Sequence, residues 1–113
     1  MESLDAKTIA WIFYATDMAM SQAGAVRTDI SHAADAINHA VPLDKELNGS
    51  LLCLLESGLI SQSGKSYMLT PTGAATIDAA RQRGNTVFAV WDALAELLAT
   101  KGLGSNNSIK PTC

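Results

Sequence analysis

The chain has 113 residues, 48% apolar and 17% charged, a balance that excludes a disordered tail or acidic solvating segment and suits one domain around one core. Eight Lys and Arg against eleven Asp and Glu leave a net charge of −3, so no global positive field steers the protein toward nucleic acid and any DNA contact has to be local. Cys53 and Cys113 are too far apart for a secreted mini-protein framework, the N-terminus carries Glu2 and Asp5 where a signal peptide is basic, and no apolar run reaches the ~20 residues of a membrane span, so a reduced, cytoplasmic protein is expected.

Residues 5 to 22 read as a helix whose apolar side chains fall on two faces. Ile9, Ile12, Phe13 and Met20 share one side, and Trp11, Tyr14 and Met18 occupy the other. A helix apolar on both faces is normally buried on both, so something must cover the second. Gly24 breaks the period, Ala25 to Arg27 suit a short strand, and Thr28 suits an N-cap. From Asp29 to about Ala40, Ile30, Ala33, Ala34, Ile37 and Ala40 recur at threes and fours as one buried stripe. Val41 and Pro42 interrupt it. A third helix follows over Leu43 to Ser57 with Leu47, Leu51, Leu54 and Leu55 inward, Asp44 and Glu46 in its first turn, and Gly58 as its terminator.

Leu59 to Gln62 and Ser66 to Thr70 flank Ser63, Gly64 and Lys65 as a tight hairpin. Thr70, Pro71 and Gly73 open a fourth helix that runs to about Gln82, and Gly84 and Asn85 end it. The last helix, Thr86 to about Thr100, aligns Val87, Val90, Trp91, Leu94, Leu97 and Leu98 on one stripe. Residues 1–101 are therefore read as one domain and 102–113, rich in Gly, Ser and Asn, as a flexible tail. The fold class is mainly α with a small β-hairpin.

The order helix, helix, helix, hairpin, helix, with the string Leu55, Glu56, Ser57, Gly58, Leu59, Ile60 and then Gly64, Tyr67, Leu69, Thr70 and Gly73, resembles the winged helix-turn-helix transcriptional regulators of bacteria. The similarity covers roughly residues 26 to 82 and is closest in pattern to the PadR-like and MarR-like repressors, in which terminal helices flank the winged core. The resemblance implies a homodimer that binds double-stranded DNA and acts by binding, with the third helix in the major groove and the hairpin as the wing. Arg27, Lys45, Asn48, Gly49, Ser50 and Lys65 are the DNA-binding candidates.

The third helix is poorly equipped for that role. Its side away from the leucines carries Lys45, Glu46, Gly49, Cys53 and Glu56, with Asn48 and Ser50 at the margins. Between Arg27 and Lys65 three basic residues face five acidic ones, Asp29, Asp35, Asp44, Glu46 and Glu56, and phosphate neutralisation supplies most non-specific affinity. The alternative is a protein-interaction module on the same scaffold, using its terminal helices or its neutral third helix. Trp11, Tyr14 and Met18 with Val87, Val90, Trp91, Leu94 and Leu98 are the candidate dimer or partner interface, the last helix packing on the first either within one chain or across a dimer.

Nothing in the chain calls for catalysis, a cofactor or a metal. His32, Asp35 and His39 share one side of the second helix at three and four, but the polar face of an amphipathic helix accounts for them. Cys53, placed near the exposed side of the third helix, suggests an oxidant-sensing thiol or an inert half-buried one. No phosphate loop, nucleophile elbow or metalloprotease motif is present, and Asp44 and Glu46 are explained by the helix start.

Overall fold

The computed structural model describes residues 4–103 of the chain. Among them are five helices and one two-stranded hairpin: α1 (Ala6–Ala19), α2 (Arg27–Asn38), α3 (Asp44–Glu56), β1 (Ile60–Ser63), β2 (Ser66–Leu69), α4 (Pro71–Gln82) and α5 (Val87–Thr100).

α1 is the central element. Asp5 caps it by accepting the Thr8 N–H at 2.8 Å, and Ile9 through Thr16 are buried without a break, as a helix apolar on both faces requires. One face meets α2 and α3, and α5 covers the other within the same chain. Both indoles in this layer are hydrogen-bonded. Trp11 Nε1 donates to the Ala34 carbonyl of α2 at 2.8 Å, and Trp91 Nε1 of α5 donates to the Lys7 carbonyl of α1, also at 2.8 Å. The two rings lie 6.2 Å apart between centroids, and the Lys7 ammonium stands 4.4 Å from the Trp91 ring centroid.

α2 begins two residues before the expected position, with Val26 in extended conformation ahead of Arg27 and no side-chain cap, so Thr28 lies inside the helix. It buries Ile30, Ala34 and Ile37 and ends earlier than expected, because His39 turns left-handed (φ 56°) and its N–H closes on the Asp35 carbonyl. Ala40 is accordingly exposed, outside the helix. In α3 the Glu46 carboxylate accepts the Leu43 N–H at 2.9 Å, tying down the entry.

The exit from α3 is a glycine turn of Schellman type. Gly58 has φ 76°, its N–H bonds to the Leu55 carbonyl, and the Leu59 N–H bonds to the Leu54 carbonyl. β1 then pairs antiparallel with β2 in the register Ile60 to Leu69, Gln62 to Tyr67 and Ser63 to Ser66, closed by Gly64 and Lys65. Of the expected strand over Ala25 to Arg27, one residue pairs: Ala25 and Tyr67 exchange both backbone hydrogen bonds, at 2.9 and 2.8 Å. Further along the same edge of β2, the Met20 thioether instead of a carbonyl accepts the Leu69 N–H, so the third strand goes no further.

α4 is clamped to this exit. Thr70 Oγ1 accepts the Gly73 N–H at 3.0 Å and donates to the Gly58 carbonyl at 2.6 Å, while the Thr70 N–H bonds to the Leu59 carbonyl. Gly73 lies so close to that strand entry that a Cβ there would stand 1.9 Å from the Leu59 carbonyl oxygen. Thr86 caps α5 through the Ala89 N–H, and α5 packs on α1 and α4. The folded unit does not stop at residue 101. Gly102 (φ 86°) and Leu103 repeat the glycine turn of α3, with Gly102 N–H to Ala99 and Leu103 N–H to Leu98, and Leu103 is 4% exposed. The remainder of the expected tail, 104–113, lies outside the described residues.

A candidate interaction surface on the third helix

Six of the eight interface candidates on α1 and α5 are not at the surface. Trp11, Tyr14, Val90, Trp91, Leu94 and Leu98 are all buried inside the single chain, because α5 folds back onto α1. Of the interface candidates, Met18 and Val87 remain exposed. Phe88 joins them at the start of α5, 6.2 Å from the Trp91 ring. Ion pairs link α1, α4 and α5: Lys7 with Asp92, Arg81 with Asp17 at 2.5 Å, and Arg83 with Glu96 at 2.7 Å.

The candidates on α2, α3 and the hairpin divide differently. Arg27, Lys45, Asn48 and Lys65 are exposed, with Lys65 at the hairpin tip. Ser50 is not, and it is a correction to the sequence reading: it is 0% exposed, and its hydroxyl has no hydrogen-bond partner. Gly49 is half-buried, with the Leu4 side chain 2.8 Å from where its Cβ would stand. Cys53, expected near the outside, is 1% exposed within the core. α1 and β1 pack on α3, and its buried arc is wider than its leucine positions define, reaching Ser50 and Cys53, while Leu4 covers Gly49.

What α3 presents outward is Lys45, Asn48, Leu52 and Glu56, with Asp44 at its start. Leu52 is 56% exposed. Sequence reasoning passed over it because leucines on an amphipathic helix are assigned inward by default. Its spacing, seven after Lys45 and four before Glu56, already places it on the polar side. The preceding loop adds Val41 and Leu43, 68% and 58% exposed. The surface is thus mixed: one cation, two anions, an amide and exposed aliphatic side chains.

Elsewhere, an open depression is lined by Ser57, Leu59, Thr72, Lys101 and Leu103, with a single charged group. His32 and Asp35 are exposed on α2, and His39 terminates it. Among the described residues no three His, Cys, Asp or Glu side chains are placed to share a metal ion, and no helix is long and apolar enough to cross a membrane. The chain matches no family model, no curated protein and no solved structure.

Proposed function

We propose that this chain is a winged-helix binding module whose third helix engages a protein surface in preference to duplex DNA. The winged-helix assignment is supported by the order of elements and by the two backbone bonds that attach Ala25, just ahead of α2, to β2 of the hairpin. The choice of ligand rests on one observation, the outward face of α3. A helix that reads a major groove needs donors toward base edges and cations toward phosphates. Here Gly49 and Ser50 are turned inward, and Leu52 stands between Lys45 and Glu56. An exposed leucine on a helix face with no net positive charge suits an apolar partner, and Asp44 and Glu56 repel phosphates.

The test is a titration of a mixed-sequence duplex at about 50 to 200 mM salt, comparing wild type with the double variant Lys45→Glu, Lys65→Glu. The expected result is no saturable binding by either. Salt-dependent binding by wild type that disappears in the double variant overturns the proposal and restores the DNA-binding regulator, with Arg27, Lys45, Asn48 and Lys65 as its contacts.

A further inference from the structure

We infer that Cys53 is joined to Cys113 by a disulfide, and that this bond straps the C-terminal segment 104–113 to the end of α3. The inference concerns the chain's own terminus and is independent of what α3 binds. Cys53 is disulfide-bonded, and no cysteine among the described residues is free, so neither thiol role considered for it on sequence grounds applies. The sequence holds two cysteines. Within one chain, therefore, the second sulfur of that bond belongs to Cys113, sixty residues further on.

The fold brings the root of the segment and its anchor to one place. The glycine turn at Gly102 folds Leu103 back onto the core, 4% exposed, instead of letting the chain run on along the axis of α5. Lys101 and Leu103 then line the open depression together with Ser57, Leu59 and Thr72. Ser57 stands one turn beyond Cys53 on the same flank of α3, and its hydroxyl donates to the Cys53 carbonyl at 2.8 Å. The depression thus adjoins both the residue from which the segment departs and the turn of α3 next to the residue at which it is tied. Ten peptide steps separate Leu103 from Cys113 and reach at most about 35 Å, more than one such depression requires.

The bond closes by thiol–disulfide exchange. One cysteine thiolate attacks a small-molecule disulfide such as oxidised glutathione, forming a mixed disulfide and releasing one glutathione thiolate, and the other cysteine then displaces the second. Two protein thiols and one small disulfide become one protein disulfide and two small thiols, with no further oxidant. In the bonded state Cys53 is 1% exposed, so a reductant reaches its sulfur only when this end of the domain opens. The cross-link also closes a long loop in the unfolded chain, which favours the folded state. Reduction therefore loosens the domain and frees its C-terminus from α3.

The experiment equilibrates the full chain with glutathione disulfide, alkylates it in guanidinium and digests it with trypsin without reduction. The expected product is the peptide Glu46–Lys65 linked to Gly102–Cys113, from protein that runs as a monomer on a non-reducing gel. Urea unfolding gives a second readout. Reduction is expected to lower the midpoint by about 1 M or more. Cys113→Ser, which leaves Cys53 and the core leucines in place, is expected to match the reduced wild type and to ignore the reductant. Two alkylated thiols per chain, or a cross-link found only between chains, overturns the inference. A bond within the chain that forms without moving the urea midpoint overturns the strap.

Discussion

Gly73 shows how little room one position leaves. Its backbone passes so near the Leu59 carbonyl that the smallest side chain meets the oxygen at 1.9 Å, and the contact is with backbone, which does not swing aside. Gly73→Ala is expected to cost about 3 kcal/mol or more, because α4 must lift off the hairpin or the Thr70 clamp must open. A urea unfolding midpoint measures it, and a loss under about 1 kcal/mol would mean that α4 does not approach the strand entry this closely. Ser50 is the opposite case. Its hydroxyl is buried without a partner, so Ser50→Ala removes a desolvated polar group and is expected to raise stability by about 1 kcal/mol in the same assay. A destabilised Ser50→Ala protein contradicts that account. Leu52, exposed at the centre of α3, contributes little to the fold by burial and is available for binding.

At the scale of elements, the two glycine turns decide where helices stop. Ser57, Gly58 and Leu59 end α3; Lys101, Gly102 and Leu103 end α5 in the same geometry, with the leucine folded back onto the core each time. The sequence placed the first because an apolar strand follows it. It missed the second because residues 102–113 look like a polar tail, although the Gly-Leu pair was the available signal. Leu103→Ala is expected to cost about 2 kcal/mol, read by thermal or urea denaturation. A neutral result would return the domain boundary to residue 101. The edge of β2 shows a different limit: Ala25 alone pairs, and the Met20 sulfur takes the next N–H, a substitution that strand propensity does not encode.

Across the whole molecule, α1 packs against α2, α3, α5 and β2. Its two tryptophan contacts reach α2 and α5, so the reporters of tertiary structure sit at the junction of both halves. Unfolding is therefore expected to be a single transition, with tryptophan fluorescence and far-UV circular dichroism giving coincident urea curves. A fluorescence change that precedes the loss of helix would mean that α5 detaches first. The ion pairs that link α1, α4 and α5 are largely exposed and contribute modestly beside this burial.

Periodicity and turn chemistry in the sequence alone located the five helices, the hairpin with Gly64 at its tip, the opening of α4 at Thr70 to Gly73 and the need for a cover on the second face of α1, because these follow from local geometry and from which faces are apolar. Tertiary structure decided what supplied that cover. α5 folds back within the same chain, which encloses Trp11, Tyr14, Trp91, Leu94 and Leu98 and removes them from any external surface. It also decided which residues α3 shows. A helical wheel gives angles but not the width of the arc its neighbours bury, so Ser50 and Cys53 went inside while Leu52 stayed out.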